Sequence, residues 1–168
     1  YYSRQPYHDN IFNNYDNSIN PVSQNEKIIG LELGYSYNTP NFKANVNVYN
    51  TSWKDRVDGA TDIDPVTNVV EITQTTGQSQ EHKGIEIDFA ANIIDKLTIK
   101  GFLSAGDWIY KGTVSTITLD EDRNPIGTAS NKDVEGGKVG DAAQFTAGLG
   151  FDYAILDNLS IDSDYRFY

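Results

Sequence analysis

The sequence predicts an all-β fold: an antiparallel transmembrane β-barrel segment of up-and-down hairpins, with short periplasmic turns and long extracellular loops. Three observations predict it. A period-two alternation of large apolar with small or polar residues returns six times. The alternating segments run ~9–12 residues, long against a typical ~5–6 and enough for a tilted strand to cross a bilayer core. The connections between them alternate between short and long, as in barrels with short turns at one rim and long loops at the other.

The elements follow in order. Residues 1–5 read as the end of a strand. Residues 6–25 read as a loop, because Asn, Asp, Ser and Pro hydrogen-bond locally and compete with regular structure. The first long strand spans Glu26 to Tyr37. There Ile29, Leu31, Leu33, Tyr35 and Tyr37 share one face, and Gly30, Glu32, Gly34 and Ser36 share the other. Asn38-Thr39-Pro40-Asn41 is a tight turn. The second strand runs from Phe42 to about Arg56, with Phe42, Ala44, Val46 and Val48 opposite Lys43, Asn45 and Asn47. Tyr49 and Trp53 fall on its polar side. A long connection is expected from about Val57 to Glu81, within which Val69 to Thr73 could extend a strand.

The third strand, Gly84 to Ala91, sets Ile85, Ile87 and Phe89 against Glu86 and Asp88. Asn92 to Lys96 turns the chain into the fourth strand, Leu97 to about Tyr110, where Phe102 joins Thr98, Lys100 and Ser104 on the polar side. A second long connection spans about Lys111 to Gly140, and Leu119 to Pro125 tips an extended hairpin within it. The fifth strand, Ala142 to Tyr153, and the sixth, from Leu159, flank a turn at Ala154 to Asn158. Aromatic residues near the short turns, such as Tyr35, Tyr37, Phe42 and Tyr153, suit an interfacial girdle.

Composition narrows the function classes. The 168 residues allow one domain of ordinary size. No apolar run approaches the ~20 residues of a spanning helix. The chain has no cysteine, which excludes a disulfide scaffold and a thiolate metal site. Thirteen basic and 24 acidic residues give a net charge of -11, which argues against nucleic acid as a partner. Both ends read as interrupted strands, so 1–168 is expected to be a partial β-barrel domain. A soluble or surface-exposed β-sandwich that binds a glycan or a protein partner shares the alternation and stands as the alternative.

The ordered segments Asn25-Glu26-Lys27-Ile28-Ile29-Gly30-Leu31-Glu32-Leu33-Gly34-Tyr35-Ser36-Tyr37 and Phe42-Lys43-Ala44-Asn45-Val46-Asn47-Val48-Tyr49, continuing to Trp53-Lys54-Asp55-Arg56, resemble the barrel of TonB-dependent outer-membrane receptors, particularly those of Bacteroidetes-type bacteria. Tyr2-Ser3-Arg4-Gln5-Pro6 and Gly84-Ile85-Glu86-Ile87-Asp88 resemble further family segments in the same order. The resemblance implies a 22-stranded barrel closed by a separate N-terminal plug, with the plug and the remaining barrel strands outside this chain. It implies energised import of a scarce nutrient (a siderophore, glycan, peptide or similar) across the cell outer membrane. The implied partners are outer-membrane lipid, the receptor's own plug, the TonB complex through absent segments and an extracellular nutrient ligand. A surface lipoprotein is a further candidate partner.

Candidate site residues follow from the alternation. Glu32, Glu86, Asp88, Lys100, Asp162, Asp164 and Arg166 occupy polar-side positions and would face the lumen and plug. An Arg or Lys facing lipid at the midplane would cost ~2–4 kcal/mol. Tyr49 and Trp53 are candidate ligand or rim contacts, with rim anchoring the plainer role. Asp58, Asp62 and Asp64 offer oxygen ligands suited to calcium but lack EF-hand spacing, so a solvated acidic loop competes with a metal site. His8 and His82 stand in or beside loops without a placed nucleophile, and no phosphate-binding glycine loop appears. No catalytic residue and no cofactor are assigned, and an enzyme is not expected.

Overall fold

The computed structural model describes residues 1–5, 11–13, 18–20, 23–63, 65–140 and 143–168. Its elements are β1 (Tyr2–Arg4), β2 (Phe12–Asn13), β3 (Ser18–Ile19), β4 (Glu26–Asn38), β5 (Phe42–Ile63), β6 (Val70–Ile94), β7 (Leu97–Lys111), β8 (Thr113–Leu119), β9 (Ser130–Asp133), β10 (Phe145–Leu156) and β11 (Leu159–Phe167). Among the described residues, nine of these form one sheet. Its path runs β1-β4-β5-β6-β7-β10-β11, with β8 pairing β6 and β9 pairing β8. β1 with β4, β7 with β10, β10 with β11, β6 with β8 and β8 with β9 pair antiparallel, and β2 and β3 make a separate two-stranded antiparallel sheet. This is the expected all-β, up-and-down arrangement, and the sheet is not closed within this chain. Among the described residues, no helix is long and apolar enough to cross a membrane.

Each of β4, β5, β6 and β7 contributes to both of the chain's two compact units. The first unit holds residues 1–30, 51–81 and 109–139, and the second holds residues 31–50, 82–108 and 140–168. The first unit contains the three buried hydrophobic residues found among those described: Val57, Val114 and Leu119. Here the sequence reading needs two corrections. The expected connection of residues 57–81 is mostly strand, because β5 continues to Ile63 and β6 begins at Val70. Its polar Thr-Gln-Ser stretch reads as loop by composition. Thr is nevertheless a good strand former, and β8 supplies a hydrogen-bonded partner. Thr73 pairs Thr118, Thr75 pairs Thr116, and the hydroxyls of Thr75 and Thr116 lie 3.0 Å apart. The second connection is likewise structured. Asp120 and Asn124 close the turn that joins β8 to the chain leading into β9.

The second unit has the plainer architecture. It contains the three short connections and no buried apolar residue among those described. Register explains the alternation. Tyr153 lies between Leu97 and Ile161, Leu149 between Gly101 and Tyr165, and Ala147 between Leu103 and Phe167. The intervening residues make equally consistent polar rows. Asp152 lies between Thr98 and Asp162, and Gly150 between Lys100 and Asp164. The apolar rows remain open: Leu31 is 72% and Leu33 73% exposed. No second layer covers them among the described residues, so the sandwich expectation has no inner face here.

Glycines let large side chains lie flat across the sheet. A Cβ on Gly101 would stand 2.7 Å from Cε1 of Phe89 and 3.0 Å from the carbonyl oxygen of Gly148. Gly101→Val should therefore lower the unfolding stability of the assembled protein by ~1–3 kcal/mol through overpacking. Gly140→Ala, which meets nothing within 4 Å, should change it by less than ~0.5 kcal/mol. Denaturant melts of the two variants in detergent check the difference.

Candidate functional site

The polar face of the second unit brings several of the expected residues into direct contact. Alternation puts Glu32, Asn45, Asn47, Asp88 and Lys100 on this face, and the strand pairing places partners beside them. Asn47 donates its amide to Glu32 Oε1 at 2.6 Å, and Asn45 donates to Asp88 Oδ2 at 2.8 Å. Lys100 Nζ lies 3.3 Å from Asp152 Oδ1 and 3.9 Å from Asp164 Oδ1. Gly150 separates Lys100 from Asp164 in register, and its missing side chain leaves room for both to lean across it. Asp162 lies directly opposite Asp152, and Arg166 lies opposite Gly148. Glu86 shares the alternation of Asp88 and is exposed. Four of the seven, Asp88, Lys100, Asp164 and Arg166, line one hollow with Phe102 and Gly148.

The two aromatic candidates are engaged with neighbours. In the second unit, Trp108 donates its Nε1–H to the Tyr49 hydroxyl at 2.9 Å, and the His82 ring stacks on Trp108 at 5.2 Å between centroids. The Gln144 amide grips both backbone groups of Trp108, at 3.1 Å and 3.0 Å. Gly84 lies under Tyr49 and Gly106 under the indole, where a Cβ would collide with either ring. In the first unit, Trp53 donates to Glu26 Oε2 at 3.1 Å, and the Arg56 guanidinium sits 4.6 Å over its ring. Sequence reasoning missed Trp108, Gln144 and Asp152 as parts of these clusters. Asp152 carried the right signal, a charge on the polar side of an alternating strand. Gln144 carried none, because a cross-strand grip on a backbone has no sequence pattern.

The aspartates of the metal hypothesis are partly placed. Asp58 lies 3.5 Å from Arg56, and Asp62 accepts the amide of Ile63 at 2.8 Å. Asp64 and His8 lie outside the described residues. Among the described residues, no group of three or more His, Asp or Glu is gathered to hold a metal ion. Taken together, the polar face offers hydrogen-bonding and charged groups for docking. Of its titratable groups, Glu32, Asp88, Lys100, Asp152 and Asp164 bond to neighbours across the strands.

The first unit carries a tight ion pair. Lys111 Nζ bonds Glu135 Oε1, and Glu135 Oε2 accepts the Gly112 amide at 2.7 Å. The Lys111 hydrogen bond and the Gly112 amide hold Glu135 below its ordinary 4.5, and the same bond raises Lys111 above 10.5. The carboxylate's contribution to stability is present above 4.5 and is lost as pH falls below it. That of the ammonium is present below 10.5 and is lost as pH rises above it. Protection of the Gly112 amide, corrected for intrinsic exchange, should therefore fall on acidification through the carboxylate range. Glu135→Gln should remove that acid step, as hydrogen exchange on the detergent-solubilised protein would show.

The family model described as TonB dependent receptor-like, beta-barrel, matches residues 2–168. No curated protein and no solved structure gives a significant match.

Proposed function

The chain belongs to the TonB-dependent receptor-like β-barrel family, and on that premise we propose that it forms part of the wall of an outer-membrane receptor importing a scarce nutrient with energy from the TonB system. The observation that carries this reading is the uncovered apolar face of the second unit. In water a face that exposes Leu31, Leu33, Tyr35, Leu149 and Tyr165 together would be an unfavourable surface. In a bilayer it is the solvated face, with the backbone of the inner strands β5, β6, β7 and β10 paired on both sides and the two edges left for further barrel strands to pair.

The opposite face then borders the lumen, and Glu32, Glu86, Asp88, Lys100, Asp162, Asp164 and Arg166 meet water or the receptor's plug. Tyr49 and Trp53 serve as rim anchors through their bonds to Trp108 and Glu26. The ion pair of Lys83 with Asp107, 3.4 Å apart, occupies apolar-side positions and ends the greasy band on β6 and β7. The Bacteroidetes-type motifs at 25–37 and 42–56 support a source in that group and, with it, a surface lipoprotein partner. The family is one of receptors and transporters, which supports a binding and transport role over catalysis.

Orientation is tested by charge. Leu33→Arg and Phe89→Arg should each impede insertion of the intact receptor, by ~2–4 kcal/mol for a midplane position, and Glu32→Gln should insert normally. Heat-modifiable gel mobility of outer-membrane fractions reads the outcome. Equal behaviour of the three variants would contradict lipid contact on the apolar face.

A further inference from the structure

Three rings from three neighbouring strands meet on the polar face. Tyr49 on β5, His82 on β6 and Trp108 on β7 are each half-buried, and all belong to the second unit. The Tyr49 hydroxyl reaches Trp108 Nε1 two strands away, a span of ~10 Å, so the phenol must lie across β6 rather than stand upright on β5. Gly84 is its floor, where a Cβ would stand 2.5 Å from the hydroxyl oxygen. Gly106 is the floor of the indole, where a Cβ would stand 2.7 Å from Nε1. The His82 ring lies within 15° of the indole plane, with 5.2 Å between centroids. The Gln144 amide accepts from the Trp108 backbone N–H and donates to its carbonyl, which fixes the strand that carries the indole. Together the rings make a low aromatic ledge. Because Tyr49 accepts the indole N–H, its own O–H remains to donate elsewhere. Glu86, two residues along β6 from Gly84 and on the same face, presents an exposed carboxylate beside the ledge.

We propose that this ledge binds a sugar ring of a neutral oligosaccharide, which makes the imported nutrient a glycan; the lumen assignment above is the premise. A pyranose presents C–H groups on its flat face and hydroxyls at its edge. The C–H groups suit the electron-rich face of an aromatic ring. The hydroxyls suit a donor such as Tyr49 set beside an acceptor such as Glu86. Charge and ring geometry argue against the other cargo classes. The polar face of the second unit carries more carboxylates than cationic side chains, so an anionic ferric chelate would be repelled. A cation is held best by rings that face inward around it, with carboxylates to spare. Here His82 and Trp108 are nearly parallel, and Glu32, Asp88, Asp152 and Asp164 already bond within the sheet.

Calorimetric titration of the intact receptor in detergent tests this, with heat-modifiable mobility as the control for assembly. The titrants are maltohexaose, cellohexaose, xylohexaose and mannohexaose, with ferric citrate and pentalysine as charged contrasts. At least one hexasaccharide should bind, and Trp108→Ala should weaken its binding by about tenfold or more through loss of the stacking surface. His82→Ala and Tyr49→Phe should each weaken it by about threefold to tenfold, the first by removing a ring and the second by removing a hydroxyl with the ring kept. Tyr37→Ala, which removes a ring from the apolar face, should leave the affinity unchanged. If Trp108→Ala fails to assemble, His82→Ala and Tyr49→Phe carry the comparison. Failure of every hexasaccharide to bind, or unchanged affinity in the assembled ring variants, would overturn the proposal. Trp108-dependent binding of ferric citrate or pentalysine would overturn it too, by assigning the ledge to a charged cargo. Absence of a heat-modifiable band in the unmodified receptor would instead overturn the barrel reading on which it rests.

Discussion

A sheet one layer thick must find a suitable medium for each of its two faces, and this requirement governs the second unit of the chain. Strand pairing satisfies the backbone on both sides of β5, β6, β7 and β10, so along these strands the side chains decide what each face can meet. On one face, Leu33, Leu149 and Tyr165 are exposed with no covering layer among the described residues. On the other, carboxylates, amides and an ammonium bond across strands. A core over the apolar face and water on the other would satisfy both, but the described residues supply no such core. A hydrocarbon medium on one side and water or protein on the other satisfies both.

The same constraint explains the arrangement of polar residues. Cross-strand neighbours on one face stand close enough to pair, so Asn45, Asn47 and Lys100 can neutralise or solvate Asp88, Glu32 and Asp152 without a third layer. Aromatic residues on this face lie over glycines, as Phe102 does over Gly148 and Trp108 over Gly106. Such pairing of a bulky ring with a bare backbone keeps the polar face low. The first unit departs from this pattern. It buries Val57, Val114 and Leu119 and pairs β6 with β8.

The alternating strands were readable in advance because side-chain direction has a period of two whatever the surroundings. The reading from Leu97 and from Leu159 recovered β7 and β11 closely, and the face of every residue in the register of β10 agrees with it. It failed where polar composition outweighed periodicity. The strand expected within Val69 to Thr73 is there, at the start of β6, but residues 57–63 and 74–81 are strand as well, with Gln74, Thr75 and Thr76 paired to Ile117, Thr116 and Ser115 of a segment far along the chain. The candidate charges Lys100, Asp162 and Asp164 were legible as polar-side positions, but their partners were not. That both Asp152 and Asp164 reach Lys100 depends on strand register: β7 against β10 sets Lys100 opposite Gly150, and β10 against β11, joined through the turn at Asp157 and Asn158, sets Asp164 opposite Gly150.

The sequence by itself determined the strand class, the two unlike faces and, through its ordered motifs, the family to which those faces belong. Period and composition suffice for these because they are local properties of the chain. Only the tertiary structure decided that no layer among the described residues covers the apolar rows, that Tyr49 and Trp53 are bonded rather than free, and that Asp152 confronts Asp162. These depend on which strands become neighbours and in what register. Such long-range pairings are selected by the total energy of the sheet and leave no mark on any single segment.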